Sequence, residues 1–521
     1  MKDVKTKKPF IFHPILFGIF PLISLFASNV NQARPELAYR SFIYSFLGGV
    51  LLFLILRLVI KDTPRAALLS TLFIILFYSY GQIYGELEKN TVLGLSLGHH
   101  RLMAPLWAIL FFAVGWWIIK KGKNTWQLNT LLNAVSVFVL IIPIYQIGSF
   151  EIRYQQSNAA RALAERNETN SSTGSKLTDP KDLPDVYYII LDGYSRADVL
   201  KKLYDYDNTE FLNQLKDIGF VIPDCAQSNY ARTALSIASA LHMDYIDNFT
   251  DVIRKGDPSI DAIVFEDLIK HNPVRQLMKN NDYKMVAFET GFFWNEVTDA
   301  DYYIVGNNNP LEKVKKGAEI TEFEVMFLRT TYFRIFSEAQ TAFFSNLTKN
   351  IRTPEEKHYD LVLFELDQLE QVPLLPGKKY VYAHIVAPHA PFVISQYGQF
   401  ISTGADNPGY LDEITYLNKR VIEVVQTIIA TSPTPPVIVI QGDHGWDENY
   451  RIEILNAYYL PTGGNKLVYP EITPVNTFRI IFNHYFGENF PLVEDVSYMS
   501  DGETPYDFTI RPQTCVRPNG N

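Results

Sequence analysis

Apolar residues are concentrated in five stretches before residue 150. They run from about 10–28, 41–60, 66–84, 102–119 and 128–147. Each is close to the ~20 residues that a helix needs to cross the hydrocarbon core of a bilayer. No small-residue cleavage site follows the first stretch and four more come after it, so we interpret it as a retained helix rather than a signal peptide. The pattern predicts a membrane domain, residues 1–150, with five transmembrane helices.

The pattern changes after residue 150. Residues 151–184 form a predicted connector, with a helical, alanine-rich part followed by a linker rich in Asn, Ser and Thr. From 185 to 521, short apolar runs alternate with helical segments. Four of these runs predict buried strands: 186–191, 285–288, 379–386 and 437–440. The alternation predicts an α/β domain with a mostly parallel sheet covered on both faces.

Cationic residues predict the orientation of the membrane domain. Nine of them precede the first span or fall in the second and fourth connections: Lys2, Lys5, Lys7, Lys8, Lys61, Arg65, Lys120, Lys121 and Lys123. The alternate connections hold only Arg34, Arg40, Lys89 and Arg101. Because cytoplasmic loops carry the excess of Lys and Arg, the N-terminus is expected in the cytoplasm. Five spans then place residues 151–521 outside the cytoplasmic membrane.

Charge and cysteine content narrow the picture further. The formal net charge is −9 and no basic patch is present, so nucleic acid is not expected as a partner. Both cysteines, Cys225 and Cys515, belong to the outer part of the chain. That compartment permits disulfides, so the two are either bridged or free thiols.

Acidic residues follow two of the predicted strands directly. Asp192 comes after the run 186–191, and Asp443-His444 comes just after the run 437–440. Open α/β sheets bind ligands at the carboxyl ends of their strands. Carboxylate oxygen with imidazole nitrogen suits a divalent cation such as Zn or Mn. The alternative is a turn or helix-capping role for each aspartate.

A small, helical segment from Ala234 to Met243 follows a hydroxyl residue. Hydroxyls at Thr233, Ser236 and Ser239 recur with a spacing of three. A hydroxyl at a helix N-terminus lies beside free N–H groups and the positive end of the helix dipole, which stabilise an alkoxide and an anion. The alternative for Thr233 is an N-cap, and one position can serve both purposes.

Two histidines flank a proline-rich loop after another predicted strand. His384 and His389 are five residues apart in His-Ile-Val-Ala-Pro-His-Ala-Pro. They are candidates to donate hydrogen bonds to an anionic substrate or to bind metal. The other histidines lie in the membrane domain or in stretches without a recognisable pattern, and they are given no role: His13, His99, His100, His242, His271, His358 and His484.

These motifs, in this order, resemble the alkaline phosphatase superfamily, and within it the sulfatase-like membrane transferases such as lipoteichoic acid synthases and phosphoethanolamine transferases. Thr233-Ala234-Leu235-Ser236 is similar to the Thr-Ala-x-Ser segment of phosphoethanolamine transferases. The resemblance implies that Thr233 is the nucleophile. It also implies that Asp192, Thr233, Asp443 and His444 hold the metal, and that His389, with His384, contacts the phosphate.

The sequence also departs from that superfamily. The Cys-x-Pro-x-Arg motif of true sulfatases is missing, which disfavours sulfate-ester hydrolysis. His484 is the only histidine after His444. This implies one metal ion rather than two, Zn or Mn in preference to Mg. It also leaves part of the transferases' phosphate-binding set without a counterpart.

The leading prediction is a metal-dependent membrane transferase that moves a phosphorus-containing headgroup, of phosphoglycerol or phosphoethanolamine type, to an outer glycan or lipid. Tethering to the bilayer raises the effective concentration of the enzyme near a lipid donor. One alternative is a hydrolase or phosphodiesterase of the same superfamily, and another is an inactive membrane scaffold. Transport is a weaker alternative, because the spans hold few ionisable residues. The sequence predicts no oligomeric state.

Overall fold

The computed structural model describes residues 10–30, 35–89, 91–92, 95–96, 99–122, 125–156, 183–249, 262–306, 322–335, 353–501, 504–513 and 515. The chain divides into two compact units. The membrane unit comprises Met1–Arg153 and Asn309–Arg352, and the sheet unit comprises Tyr154–Asn308 and Thr353–Asn521. The sequence pattern did not indicate that a later segment groups with the N-terminal helices. Several predicted features lie outside the described residues, including Lys2 to Lys8, Arg34, Lys123 and most of the connector 151–184.

Long apolar helices make up the membrane unit. They are α1 (His13–Ser28), α2 (Pro35–Ile60), α3 (Thr63–Lys89), α4 (His100–Lys120) and α5 (Thr125–Gln156), with a short hairpin of β1 (Thr91–Val92) and β2 (Leu95–Ser96). Four contain segments long and apolar enough to cross a membrane: Leu37–Ile60, Thr63–Glu88, His100–Lys120 and Thr125–Ile152. The first helix, α1, has 16 residues and packs against α2 and α3. That α1 crosses the membrane, which would make five spans, therefore stays a prediction.

A later segment completes the membrane unit. Helix α11 (Glu322–Thr330) packs against α2 and α3. Arg40 in α2 donates to both carboxylate oxygens of Glu324, at 3.0 and 2.6 Å. The bidentate geometry of this Arg40–Glu324 pair fixes both the direction and the position of α11. Gly81 in α3 is needed there, because a Cβ would overlap the carbonyl oxygen of Arg329.

A buried polar cluster joins α1, α3 and α5. His13 Nδ1 and Nε2 lie 2.7 Å from Thr71 Oγ1 and Asn129 Oδ1, respectively. The Asn133 side chain accepts from the His13 backbone N–H at 3.0 Å and donates to the Phe10 carbonyl oxygen at 2.7 Å. Because buried polar groups are costly when they have no partner, a buried cluster whose hydrogen bonds are made holds these helices in register.

The sheet unit is built on six strands in the order β10-β9-β3-β6-β4-β5. The strands are β3 (Val186–Leu191), β4 (Lys284–Phe288), β5 (Tyr302–Ile304), β6 (Lys379–Ile385), β9 (Val437–Gly442) and β10 (Asn456–Tyr459). Five run parallel and β10 is antiparallel to β9. This confirms the predicted α/β architecture with a mostly parallel sheet, and each of the four predicted strands forms within one or two residues of its expected bounds.

Alternate residues of β3 separate the two faces of the sheet. Tyr187, Ile189 and Leu191 join one apolar core, and Val186, Tyr188 and Ile190 join the other. A strand that is buried on both faces is apolar throughout, which explains why 186–191 has no polar position. Each large apolar side chain that is fully buried contributes about 1.5–3 kcal/mol.

Helices cover both faces. One layer contains α6 (Ala197–Tyr204), α7 (Thr209–Ile218), α12 (Pro354–Leu369) and α13 (Asn407–Thr431), and the other contains α8 (Thr233–His242), α9 (Ala262–Lys270), α10 (Pro273–Asn280) and α14 (Pro474–Tyr485). Two small hairpins complete the unit: β7 (Phe392–Ile394) with β8 (Phe400–Gly404), and β11 (Ser497–Met499) with β12 (Thr509–Arg511).

The C-terminal tail is tied to the sheet unit by a disulfide. Cys225 and Cys515 are bonded across 290 positions of the chain. This decides between the two alternatives for the cysteines in favour of the bridge. Closing so long a loop restricts the unfolded chain, which is how a disulfide of this kind stabilises the folded one.

Candidate metal centre

The carboxyl ends of three neighbouring strands lie side by side. In the register of the sheet, Leu191 of β3 is opposite Gly442 of β9 on one side and Ile385 of β6 on the other. Asp192 and Asp443 each follow one of these positions, and the Asp192 N–H donates to the Ile385 carbonyl oxygen at 3.0 Å. The parallel register therefore brings together two aspartates that are 251 positions apart in sequence.

Asp192, Asp443 and His444 form a compact, buried set. One ligand atom from each lies within 4.8 Å of the other two. His444 Nε2 is 3.6 Å from Asp192 Oδ1 and 3.5 Å from Asp443 Oδ2. All three residues are at most 5% exposed.

The hydrogen bonds of His444 orient its ring. Its Nδ1 lies 2.9 Å from the Gly445 carbonyl oxygen, which can only accept, so Nδ1 carries the proton. Nε2 then has the lone pair, and this is the nitrogen that faces both aspartates. A backbone carbonyl that fixes the tautomer in this way is typical of histidines that bind metal.

The carboxylate oxygens of the set test whether a cation fits. Asp443 Oδ1 accepts from Gly193 N at 3.0 Å and from His444 N at 2.8 Å. Within the described part of the chain, however, Asp443 Oδ2 and Asp192 Oδ1 are buried without a hydrogen-bond partner. Unpartnered, buried carboxylate oxygens are costly unless a cation compensates them. Two such oxygens beside an imidazole lone pair fit a divalent metal ion.

Electrostatics favour the ionisation states that such a set requires. Burial alone would raise the pKa of Asp192, but His389, His384 and His444 outweigh it and lower that pKa well below its ordinary value. Burial lowers the pKa of His444, although Asp443 opposes the effect. The aspartate is therefore an anion and the imidazole is neutral at physiological pH.

Thr233 lies beside the same nitrogen. Its Oγ1 is 3.0 Å from His444 Nε2. Thr233 is the first residue of α8, and the N-cap is Arg232, whose side chain makes no capping bond. Ser236 and Ser239 are buried in the protein, and Ser239 Oγ donates to the Asp244 carbonyl oxygen at 2.7 Å. Of the three hydroxyls, Thr233 is the one in contact with the aspartate–histidine set.

The two histidines of the proline-rich loop take different positions. His384 lies within β6 and is buried, with Nδ1 2.7 Å from Asn295 Nδ2 and Nε2 3.4 Å from Asp192 Oδ2. Its Nε2 faces Asp192 at an ion-pair distance but makes no hydrogen bond to a described residue. The His389 ring centroid is 6.3 Å from that of His444. Its Nδ1 lies 2.8 Å from the Ala390 carbonyl oxygen, so Nε2 is the atom available to a substrate.

The sequence analysis missed two residues near this set. Arg451 Nη2 lies 3.0 Å from His444 Nε2, and Arg451 follows His444 by seven positions with no recognisable motif. His358 in α12 was given no role. Burial and, to a smaller extent, His389 lower the pKa of His358 to about 4, while Asp192 opposes the shift. His358 Nε2 is buried and, among the described residues, has no hydrogen-bond partner.

Neither a family model nor a curated protein matches the sequence. Comparison with solved structures does find similar chains. The integral membrane lipooligosaccharide phosphoethanolamine transferase A of Neisseria meningitidis is 13% identical, with a TM-score of 0.34, and the match covers 89% of this chain and 94% of that one. The chain resembles phosphoethanolamine transferases in structure.

Two further similar structures each match about two thirds of this chain. The C-terminal periplasmic domain of EcEptC from Escherichia coli, in complex with Zn, is 12% identical with a TM-score of 0.39, over 65% of this chain and 95% of that one. A protein in the alkaline phosphatase superfamily from Vibrio parahaemolyticus is 10% identical with a TM-score of 0.37, over 66% and 81%.

Proposed function

We propose that this chain is a metal-dependent membrane transferase that moves a phosphorus-containing headgroup from a lipid to an outer glycan or lipid, with Thr233 as the nucleophile. The observation that carries the proposal is the position of Thr233 Oγ1. It lies 3.0 Å from His444 Nε2, beside two buried carboxylate oxygens that have no hydrogen-bond partner among the described residues.

Asp192, Asp443 and His444, with Thr233, would hold one divalent ion, Zn or Mn in preference to Mg. When bound, such an ion lowers the pKa of a neighbouring hydroxyl and stabilises negative charge on phosphoryl oxygens. The N-terminus of α8 adds free backbone N–H groups next to the same oxygen. The chain's part is to hold the hydroxyl there and to exclude water from it.

The reaction has two displacements. In the first, the Thr233 hydroxyl gives up its proton and Oγ bonds to phosphorus, the bond from phosphorus to the departing alcohol oxygen breaks, and that oxygen takes up a proton. In the second, a hydroxyl of the acceptor bonds to phosphorus and the bond to Thr233 Oγ breaks, which restores the hydroxyl. His389 has its Nε2 available to exchange these protons, since Nδ1 is bonded to the Ala390 carbonyl oxygen.

A hydrolase would share the first displacement and use water in the second. The membrane unit favours transfer over hydrolysis in aqueous solution, because its four span-length helices anchor the chain in the layer where a lipid donor lies. We also propose that α1 crosses the membrane as a fifth span. Five spans with a cytoplasmic N-terminus, as the distribution of cationic residues predicts, place the sheet unit on the extracytoplasmic side.

The test uses the full-length chain in vesicles of phosphatidylethanolamine and phosphatidylglycerol. Removal of a headgroup releases diacylglycerol, and mass spectrometry detects the modified threonine. Thr233→Ala is expected to lower diacylglycerol release by at least about 1,000-fold, since covalent catalysis is lost with the nucleophile. Thr233→Ser should keep measurable turnover. The matched control is Ser236→Ala, one turn along the same helix, which should behave like the wild type.

The outcomes separate the candidates. Near-normal release by Thr233→Ala would exclude Thr233 as the nucleophile. Release that continues without an added acceptor, with free headgroup phosphate as the product, would favour the hydrolase. If the folded wild type loaded with Zn or Mn neither releases diacylglycerol nor becomes modified at Thr233, the chain is not a headgroup transferase acting on these lipids.

A further inference from the structure

Arg451 is held in the centre of the site by its neighbours. Its side chain is 11% exposed. The guanidinium Nε donates to the Ala231 carbonyl oxygen at 2.6 Å, just before the start of α8. The Arg451 carbonyl oxygen accepts from Gly445 N at 2.6 Å, which closes the loop that carries His444. These bonds fix the direction of the guanidinium.

Arg451 Nη2 and a bound metal ion would compete for the same lone pair, that of His444 Nε2. Arg451 Nη2 and Thr233 Oγ1 each lie 3.0 Å from His444 Nε2. A metal ion held by Asp192, Asp443 and His444 would use that lone pair, so Arg451 could no longer donate to it. Nε would keep its carbonyl partner, and the one contact of Nη1 within the described part of the chain is the exposed Glu448 carboxylate at 3.4 Å. A buried, charged donor would then need a new acceptor beside the nucleophile.

The charges around Thr233 point to an anion as that acceptor. The carboxylates of Asp192 and Asp443 balance a divalent ion. Two guanidinium groups are then left, from Arg451 and from Arg232, which directly precedes Thr233. Because Nη2 and Thr233 Oγ1 share a neighbour at 3.0 Å, they are at most about 6 Å apart. A phosphoryl group fits between a nucleophile about 3 Å from phosphorus and a charged hydrogen bond of about 2.8 Å.

We propose that Arg451 binds a non-bridging oxygen of the phosphoryl group that Thr233 attacks. The inference rests on the proposed function and deepens it. It gives this chain a cationic group where the resemblance left part of the phosphate-binding set without a counterpart, since no histidine lies between His444 and His484. The competing explanation is that Arg451 only ties its loop to α8 through the Ala231 carbonyl oxygen.

The experiment measures binding of inorganic phosphate to the full-length chain in detergent, loaded with zinc, by titration calorimetry. Arg451→Gln is expected to weaken phosphate binding about 10- to 100-fold, because a charged, buried hydrogen bond is lost. Its zinc affinity should equal or exceed that of the wild type, since the competing donor to His444 is gone. Arg451→Lys, which keeps the charge, should lose less phosphate affinity than Arg451→Gln.

Arg479→Gln is the matched control. Its guanidinium also donates to a backbone carbonyl oxygen, that of Met243 at 2.9 Å, at the opposite end of α8 from Thr233. Phosphate and zinc affinities should be unchanged in this variant. Thermal melting establishes that each protein is folded, and Arg451→Lys serves if Arg451→Gln does not fold.

The outcomes are distinguishable. Wild-type phosphate affinity in folded Arg451→Gln, or in Arg451→Lys where that is the folded variant, would overturn the role of Arg451 and leave the proposed function standing. If the zinc-loaded wild type binds no phosphate, the proposed function fails, and the role of Arg451 fails with it. A large loss of phosphate affinity with zinc binding retained supports the inference, because a loop tie alone would not separate the two.

Discussion

Two buried polar clusters in this molecule differ in how fully their hydrogen bonds are made. In the membrane unit, both ring nitrogens of His13 and the side chains of Asn129 and Asn133 have partners within 3.1 Å. In the sheet unit, Asp192 Oδ1 and Asp443 Oδ2 are equally buried, yet no described residue bonds to them. The first cluster is complete from the chain alone, whereas the second leaves two carboxylate oxygens that a bound cation would partner.

The difference separates a structural cluster from a binding site. A polar group that is buried and bonded contributes modestly to stability, whereas one that is buried and unbonded destabilises the fold until a ligand binds. Removing a member should therefore have opposite effects on the ligand-free protein. It should destabilise the membrane unit and stabilise the sheet unit. Three substitutions test this contrast.

The largest effect is expected for His13→Ala. The substitution leaves Thr71 Oγ1 and Asn129 Oδ1 without their partner and opens a cavity, which should destabilise the membrane unit by about 3–4 kcal/mol. The measurement is the thermal midpoint of the chain in detergent. Ser28→Ala is the control, because its exposed hydroxyl bonds only to its own helix. A midpoint equal to that of the wild type would mean that the cluster does not hold the helices together.

Glu413 sharpens the comparison, because it is a buried carboxyl with one unpartnered oxygen and no imidazole among its bonding partners. Oε1 accepts from Val393 N and Ile394 N, while no described residue bonds to Oε2. Burial raises the pKa of Glu413 to about 8, although the two backbone bonds oppose it. Here protonation, rather than a metal, relieves the buried charge.

The pH dependence follows from that shift. Because the folded pKa exceeds the unfolded value, the folded state retains a proton that the unfolded state has lost, and stability falls as pH rises from about 4.5 through about 8. Glu413→Gln should thus change the stability by less than about 1 kcal/mol at pH 5 and stabilise the chain by about 3 kcal/mol at pH 7. The control is Asp412→Asn, at the partly exposed neighbour. Equal changes at both pH values would contradict the assignment.

The smallest effect is expected for Asp443→Asn in chelator-treated protein. The amide oxygen can keep the bonds to Gly193 N and His444 N, and the amide nitrogen takes the place of Oδ2, which is 3.5 Å from His444 Nε2. Loss of one buried charge should stabilise the metal-free chain by about 1 kcal/mol. Asp447→Asn, four residues along, is the control. A destabilised Asp443→Asn would show that the aspartate is a structural residue.

Much of the sheet unit follows from sequence. Strand 186–191 is apolar at every position, and strand 437–442 is apolar except at its last two residues. Parallel strands that are buried on both faces need such continuous apolar runs. Asp192 and Asp443 follow these strands directly. Because the carboxyl ends of parallel strands lie at one edge of the sheet, the sequence predicted that the two aspartates would meet there. Thr233 could be predicted as a helix start, because a run of small residues follows it.

The remaining features depend on tertiary packing. Phe323 and Phe327 belong to an amphipathic helix that could cover any apolar surface, and only the fold places it against α2 and α3. Arg451 reaches His444 because the chain turns back after Gly445, and a spacing of seven predicts no such return. His358 stands in a polar stretch, so its burial could not be anticipated from its neighbours in sequence.

Metal content tests most directly whether the sheet unit holds a cation. The full-length chain would be purified, reconstituted with zinc or manganese, freed of excess metal, and analysed by mass spectrometry beside the Asp192→Asn/Asp443→Asn double variant and the Asp447→Asn control. We predict about one divalent ion per chain in the wild type and in Asp447→Asn, and almost none in the double variant. Equal metal content in the wild type and the folded double variant, or no bound ion in the wild type, would contradict the assignment of Asp192, Asp443 and His444 as a metal site.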